Sequence, residues 1–202
     1  MAVVGVEKLT KFGGGTLPLE KEDWEVNQGM IMPALYAMRA NRYMHETGLT
    51  ARQLAQVSVK AHDHGALNPF AQIRKRVTLE EVMSARPVAD PFTLWHCCPT
   101  GDGSAAVILC SEKIARRVKP NAVRVAASEV TSGKYTNGYR DMTTAELTVR
   151  GAKEAYEMAG IGPGDVNVAE IHDAFTIAEL MYYEAFGLCE KGGAYRLLDS
   201  GA

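Results

Sequence analysis

The apolar residues of the chain repeat with a helical period over much of its first half and form short blocks over the rest. Gly48 provides a C-terminal stop for a first helix. Thr-x-x-Gln and Thr-x-x-Glu capping boxes at Thr50 and Thr78 mark the starts of two more. The pattern predicts helices from about 30 to 90, after a glycine-rich loop over about 11–24. The shared face of the first helix consists of Met30, Ala34, Met38, Arg42 and His45.

Short apolar blocks, which are typical of buried strands, alternate with helical segments after Pro91 and also occupy the N-terminus. A third capping box at Thr143 predicts a helix that ends at Gly160, and a further helix is expected over about 174–186. Strands that alternate with helices of this length indicate parallel βαβ units and an α/β fold with a helical insertion. The predicted strands cover residues 2–6, 105–110, 122–130 and 166–171.

The composition excludes several classes of protein. Apolar residues make up 47% and charged residues 23% of the 202, with a net charge of −2, which argues against a disordered chain and an electrostatic nucleic-acid binder. No apolar run approaches the roughly 18–20 residues of a membrane span, and the N-terminus lacks a signal-peptide pattern. The four cysteines do not suggest a disulfide framework, so we expect a cytoplasmic protein.

The most informative local pattern is Glu170-Ile-His-Asp-Ala-Phe175, at a predicted strand-to-helix junction. Ligands of parallel α/β sheets collect at such junctions, where the N-terminus of a helix offers free N–H groups. His172 could donate a hydrogen bond to a carbonyl oxygen there, as an oxyanion-hole residue does. In the alternative interpretation, Asp173 only caps the helix and His172 only packs at the end of the strand.

Three further patterns have weaker functional interpretations. The His62-Asp-His64 pair resembles a metal site, but its histidines do not share a helix face, and we expect no metal to bind. A basic cluster could contact a phosphate-bearing ligand, although a solvated surface is the simpler interpretation. The Gly-Asp-Gly turn at 101–103 would allow close approach of a ligand or of another backbone segment. The basic cluster consists of Lys60, Arg74, Lys75 and Arg76, and His96 is a third imidazole to consider with the histidine pair.

These motifs together resemble the thiolase superfamily, in particular its sterol-carrier-protein or lipid-transfer branch, which includes acetyl-CoA acetyltransferase-like proteins. The most specific segment is His172-Asp-Ala-Phe175, which is similar to the His-Asp-Cys/Ala-Phe motif of that branch and to Asn-Glu-Ala-Phe in ordinary thiolases. The resemblance extends over essentially the whole chain. Its other segments are residues 3–10, 68–71, 89–94, 97–106, 159–166, 176–180 and 183–191.

The resemblance implies a five-layered α-β-α-β-α fold built from two similar halves, present here incompletely and with a helical loop-domain insertion. Residues 1–10 and 92–120 would belong to the N-terminal half of the family fold. Residues 11–91 would form the loop domain, and 121–202 would begin the C-terminal half.

The resemblance also implies an acyl-CoA acyltransferase that performs Claisen condensation or thiolytic cleavage of 3-ketoacyl-CoA. Coenzyme A thioesters would be the substrates, with no other bound cofactor. His172 would sit in an oxyanion hole, and Ala174 and Phe175 would line the pantetheine channel. The residues expected toward coenzyme A are His62, Asn68 and Pro69, with the basic loop-domain residues.

The chain departs from the family pattern at its reactive residues. The family's nucleophilic cysteine precedes the Gly-Val-Glu-Lys strand, and its activating histidine and second cysteine follow the Gly-Gly segment near 192, so this sequence contains none of them. Ala61 and Ala174 stand where the branch often has Asn and Cys. We therefore expect an internal portion of a longer enzyme, inactive by itself. The cysteines present are Cys97, Cys98, Cys110 and Cys189, and none matches a catalytic position.

Three alternatives remain at this stage. Some relatives in the branch are retro-aldolases that act on CoA-linked side chains and use tyrosines instead of cysteines. A second alternative is a non-catalytic acyl-CoA-binding or assembly subunit, because members of the branch associate with a small zinc-ribbon/OB-fold protein. A histidine metalloenzyme is the third. The full-length protein is expected to be a homodimer.

Overall fold

The chain forms a mixed α/β structure in which helices predominate. The computed structural model describes residues 1–13, 15–119, 121–133 and 141–201. The strands are β1 Ala2–Lys8, β2 Pro87–Ala89, β3 Phe92–Thr93 and β4 Asp102–Ile108. The helices are α1 Trp24–Asn27, α2 Met32–Thr47, α3 Ala51–Leu67, α4 Leu79–Ser84, α5 Glu112–Val118, α6 Glu146–Ala159, α7 Thr176–Ala185 and α8 Ala194–Ser200.

The helical region predicted between 30 and 90 is confirmed by α2, α3 and α4. Gly48 ends α2 with a φ of 75°, in the left-handed region that glycine adopts without a steric penalty. Both predicted capping boxes form. The Thr50 hydroxyl accepts the Gln53 N–H at 3.2 Å while the Gln53 side chain accepts the Thr50 N–H at 3.0 Å, and Thr78 and Glu81 repeat the arrangement.

Replacing Thr50 by alanine should lower the free energy of unfolding by about 1 kcal/mol, because the Gln53 N–H loses its capping acceptor at the start of α3. Chemical denaturation followed by circular dichroism measures the effect. Ser111→Ala is the matched control, since Ser111 is the N-cap of α5 but makes no side-chain capping bond. The control should change stability by less than about 0.5 kcal/mol. Equal losses in the two variants would show that the capping bond contributes nothing.

The predicted N-terminal strand is present, but its expected burial is wrong. β1 pairs antiparallel with β4, from Ala2 opposite Ile108 to Lys8 opposite Asp102. All residues of both strands are exposed, because no element of the described chain covers either face of this two-stranded ribbon. β2 and β3 form a second, short antiparallel pair.

The strands predicted at 122–130 and 166–171 do not form, and the described residues contain no parallel pair. A parallel strand requires a neighbouring strand edge for its hydrogen bonds, and the described chain offers none to these segments. The apolar pattern identified segments suited to a sheet without identifying the strands beside them. The chain is therefore α/β in content, and the five-layered arrangement stays a prediction.

The third capping box is also a wrong prediction. Helix α6 begins at Glu146 after Ala145, which has no side chain that can cap it. The Thr143 hydroxyl is buried and lies 2.9 Å from Asp141 Oδ1 and 3.2 Å from Glu46 Oε2. In both contacts the hydroxyl is the donor, and its oxygen accepts a hydrogen bond from Lys191 Nζ at 2.8 Å in place of the local capping N–H. The predicted end of α6 at Gly160 is confirmed, with a φ of 70°.

The main hydrophobic core is built around α7, in which seven of the ten residues are buried. Its Ile177 and Leu180 are fully buried in the same cluster as Tyr43 of α2 and Leu54 of α3. This packing fixes the N-terminal end of α7 against α2 and α3, so the segment that precedes α7 has a defined position.

Of the helices described, none combines the length and apolar character that crossing a membrane requires.

Candidate functional site

The His172–Phe175 segment leads directly into α7 and is held by the segment that contains the cysteine pair. The Cys98 N–H donates to the Ala174 carbonyl oxygen at 2.9 Å, and Cys97 and Phe175 form an antiparallel bridge. The His172 side chain is exposed, whereas Ala174 is half-buried and Phe175 is buried. The backbone on the helical side of His172 is thus fixed while its imidazole faces solvent.

The Phe175 ring packs between two aromatic rings. Its centroid lies 4.7 Å from that of Tyr36 and 5.7 Å from that of Phe92, both in stacked orientations. Such stacks add roughly 0.5–1.5 kcal/mol per pair beyond the buried area. Phe175 therefore anchors the end of the candidate site in the core and joins it to α2 through Tyr36.

A buried network of charged and polar groups lies directly behind this segment. The Glu179 side chain is almost fully buried and accepts hydrogen bonds from Lys60 Nζ and from the Tyr183 hydroxyl. The Asp173 carboxyl also hydrogen-bonds to Glu179. The interpretation of Asp173 as the helix cap is wrong, because Phe175 occupies the N-cap of α7 and the side chain of Asp173 contacts Glu179 instead.

The network shifts the pKa of two of its members. Burial, followed by repulsion from Glu179 and the hydrogen bond to it, raises the pKa of Asp173 to about 7. Burial of Lys60 acts to lower its pKa, but the hydrogen bonds to Glu179 and Tyr183 outweigh this effect, and its pKa is raised. At neutral pH Lys60 is therefore charged, and the Asp173 carboxyl, next to His172 in the chain, is partly protonated.

The cysteines next to the segment are poor nucleophiles. Burial, and secondarily the neighbouring Cys98, raises the pKa of the Cys97 thiol to about 11. Burial and the nearby Asp173 carboxyl raise the pKa of Cys98, and burial raises that of Cys189. Because the thiolate is the nucleophilic form, burial makes these three thiols weaker nucleophiles than an exposed cysteine.

The candidate coenzyme A contacts lie on α3 and in the turn that follows it. The His62 ring meets Trp95 edge-on at 4.9 Å, and its Nδ1 lies 3.0 Å from the Lys75 carbonyl oxygen. Asn68 and Pro69 are exposed in a turn in which the Asn68 side chain accepts the Phe70 N–H. The structure thus brings His172, Ala174 and Phe175 together, and it gives no hydrogen bond or ring contact between them and these three residues.

His96 and three residues of the basic cluster have structural partners. His96 is buried against Thr93, and burial lowers its pKa to about 4. Within the described residues, no group of three or more His, Cys, Asp or Glu is placed to hold a metal ion. Lys75 pairs with Glu81 at 3.0 Å and Arg76 with Asp63 at 3.6 Å, both on the surface. The expectation of a surface position for Lys60 is wrong, since it belongs to the Glu179 network.

Sequence reasoning missed that network, although the sequence carries a signal for it. Glu179 is the only charged residue in the apolar run Ile177–Met181, and an acidic residue on the buried face of a helix requires a partner. The identity of the partner was not predictable from the pattern, because Lys60 lies 119 residues earlier in the chain.

The chain is similar to several known proteins. Residues 128–202 match the family model described as Thiolase C-terminal domain-like. The chain is 48% identical to the benzoylsuccinyl-CoA thiolase subunit BbsB of Thauera aromatica, over 89% of this chain and 47% of that protein. It is 42% identical to the acetyl-CoA acetyltransferase of Methanothermobacter thermautotrophicus, over 98% of this chain and 52% of that protein. It is also 34% identical to sterol carrier protein 2 of Gallus gallus, over 98% of this chain and 40% of that protein.

Among solved structures, a chain titled Ltp2-ChsH2(DUF35) aldolase superposes with a TM-score of 0.85 and 27% sequence identity. The superposition covers 99% of this chain and 55% of that one. The chain thus spans about half the length of the relatives it matches. It belongs to the thiolase superfamily, in the branch that contains acetyl-CoA acetyltransferases and sterol carrier protein 2.

Proposed function

We propose that the chain is part of a thiolase-like acyl-CoA acyltransferase, which performs Claisen condensation or thiolytic cleavage of 3-ketoacyl-CoA. The observation that carries the proposal is the exposed imidazole of His172. It lies on the segment that precedes α7, and the backbone contacts of Cys97 and Cys98 hold that segment in place. The similarity to proteins named thiolase and acetyl-CoA acetyltransferase supports the choice of reaction.

In this proposal His172 donates a hydrogen bond to the thioester carbonyl oxygen, which becomes negative when a nucleophile attacks the carbonyl carbon. Ala174 and Phe175 lie along the pantetheine, and His62, Asn68 and Pro69 lie toward coenzyme A. The attacking thiolate comes from a part of the enzyme outside these 202 residues, because none of the four cysteines present stands at the position of the family's nucleophilic cysteine. The parent enzyme requires no metal or further cofactor.

The surrounding architecture belongs to the same proposal. Residues 11–91 form the loop domain of a five-layered fold, residues 1–10 with 92–120 belong to its first half, and 121–202 begin its second half. The complete protein is a cytoplasmic homodimer that associates with a small zinc-ribbon/OB-fold protein. The relatives named as a thiolase subunit and as an Ltp2-ChsH2(DUF35) aldolase support assembly with a second kind of chain.

Acetoacetyl-CoA should bind the chain in a calorimetric titration, whereas a mixture of acetoacetyl-CoA and free coenzyme A should show no turnover above background. His172→Ala should weaken binding by about fivefold, as expected for the loss of one hydrogen bond to the thioester oxygen. His64→Ala is the control, because His64 is exposed on α3, and it should bind as the unaltered chain does.

Absence of binding, or equal affinity in the His172→Ala variant, would contradict the assignment of the thioester site. Turnover above background would contradict the absence of a nucleophile while supporting the class of substrate. Binding, catalysis and the role of His172 are therefore tested separately.

A second function, retro-aldol cleavage of a CoA-linked side chain, is favoured by the similarity to the Ltp2-ChsH2(DUF35) aldolase. The two reactions differ in their demand for free coenzyme A, which thiolysis consumes and retro-aldol cleavage does not. Supplying the complete enzyme with its CoA thioester, with and without free coenzyme A, distinguishes them. A non-catalytic acyl-CoA-binding subunit would bind the thioester and turn over in neither assay.

A further inference from the structure

A cavity of about 590 Å³ lies between α2, α6 and α7, beside the candidate site. Its volume is within the range of roughly 300–1,000 Å³ that is usual for small-molecule sites. The apolar part of its wall includes Leu35, Leu147 and Met181, and two tyrosines, Tyr36 and Tyr182, line it as well. The cavity thus suits a ligand with an apolar or aromatic body.

Arg39 gives this cavity a cationic group. Its guanidinium lies over the Tyr36 ring, 5.9 Å from the centroid. Burial raises the pKa of the Tyr182 hydroxyl, and the positive charge of Arg39 opposes this increase. No carboxylate of the described residues lies within ion-pair distance of Arg39. A half-buried guanidinium in this setting is a suitable partner for an anionic group on a ligand.

The two acidic residues in the wall are occupied by other partners. The Asp141 carboxylate accepts the Thr144 hydroxyl at 2.5 Å and lies 3.7 Å from Lys191 Nζ. Glu146 pairs with Arg150 at 2.8 Å. Their charges are compensated locally, and among the described residues that line the cavity Arg39 is the one cationic side chain.

The cavity adjoins the backbone that carries His172. Tyr36 stacks on Phe175 at 4.7 Å, so it connects the cavity wall to that segment. Ala178, which lines the cavity, lies in the first turn of α7, and its N–H donates to the Phe175 carbonyl oxygen at 2.8 Å. A thioester placed at His172 would therefore have its acyl group within reach of the cavity.

We infer that this cavity receives the acyl part of the CoA thioester and that Arg39 binds a carboxylate at the far end of that acyl group. The inference rests on the proposed function and specifies its substrate as a dicarboxylic acyl-CoA. Tyr36 and Tyr182 contact the apolar or aromatic part between the thioester and the carboxylate.

Succinyl-CoA and butyryl-CoA form a matched pair of probes, because their acyl chains are equal in length and differ in the terminal carboxylate. In calorimetric titrations the unaltered chain should bind succinyl-CoA about tenfold more tightly. Arg39→Met should abolish this preference by weakening the affinity for succinyl-CoA alone, and Arg39→Lys should keep part of it. Arg116→Met is the control, since Arg116 pairs with Glu112 on the exposed surface of α5, and it should keep the whole preference.

Equal affinities for the two thioesters in the unaltered chain would overturn this inference and leave the proposed function standing. A preference that survives in Arg39→Met would also overturn it, because another residue would then bind the carboxylate. If neither thioester binds while acetoacetyl-CoA does, this inference is wrong and the proposed function stands, and if none of the three binds, both are wrong. Circular dichroism of each variant confirms that the fold is retained, and Arg39→Lys keeps the test valid if the methionine variant unfolds.

Discussion

Replacing Lys60 by methionine should lower the free energy of unfolding by about 3 kcal/mol, since removal of one partner of a buried ion pair leaves the other charge uncompensated. Glu179 is only 5% exposed and accepts its hydrogen bonds from Lys60 and Tyr183. Methionine retains much of the length and apolar character of the lysine stem, so the loss reports the charge more than the packing. Chemical denaturation at pH 7 measures it.

The double variant Lys60→Met/Glu179→Met distinguishes loss of the ion pair from damage to the packing. With both charges removed, stability should return to within about 1 kcal/mol of the unaltered chain, because an apolar pair of similar volume replaces a buried ion pair at little cost. Lys75→Met provides a surface control, since Lys75 pairs with Glu81 in solvent and its loss should cost less than about 1 kcal/mol. A double variant as unstable as the single one would contradict a charge effect.

The parts of the fold that the sequence predicted are those determined by local interactions. The capping boxes at Thr50 and Thr78 and the left-handed glycines at the ends of α2 and α6 involve residues within about four positions of each other. Such contacts form wherever the surrounding chain permits a helix. The box at Thr143 failed because its hydroxyl oxygen accepts a hydrogen bond from Lys191 Nζ at 2.8 Å instead of one from the Glu146 N–H, and Lys191 is 48 residues away.

The sheet could not be predicted in the same way. The apolar segments at 122–130 and 166–171 have a strand-like composition, but a strand also needs an edge to pair with, and composition does not identify it. The pairing of β1 with β4 joins residues about 100 positions apart, and its antiparallel direction contradicts the parallel units expected from the alternation of elements. The order of the segments along the chain led to the wrong prediction of parallel pairs, because segments that follow each other in sequence need not be neighbours in the sheet.

For the candidate site, the sequence located His172 but not its surroundings. The position of the motif before a helix was predictable from the polar segment that precedes the apolar run of α7. That Asp173 faces Glu179, and that Lys60 of α3 bonds to Glu179 and acts on Asp173 through its charge, depends on the packing of two helices. The result is one cation shared by two neighbouring carboxyl groups, an arrangement in which one carboxyl retains its proton to higher pH.

Asp173→Asn should therefore change how stability depends on pH. The folded-state pKa of Asp173 is about 7, above the 3.8 of an unperturbed aspartate, so the folded chain retains a proton that the unfolded chain releases. The stabilising contribution of this group is complete below about pH 4 and is lost as the pH rises to about 7. Asparagine cannot ionise, and its amide can still donate a hydrogen bond to Glu179, so the variant should not lose this contribution.

Between pH 5 and pH 8 the unaltered chain should consequently lose on the order of 2 kcal/mol relative to Asp173→Asn, a value that allows for partial solvent screening of the half-buried carboxyl. Denaturation curves of both proteins at intervals of half a pH unit measure the difference. Asp63→Asn serves as the control, because Asp63 pairs with Arg76 on the surface, and its profile should run parallel to that of the unaltered chain. Parallel profiles for Asp173→Asn would mean that Asp173 is ionised throughout, and that Lys60 compensates both carboxylates at once. Divergence with the opposite sign would place the folded-state pKa of Asp173 below its ordinary value, which requires Lys60 to lie closer to Asp173 than to Glu179.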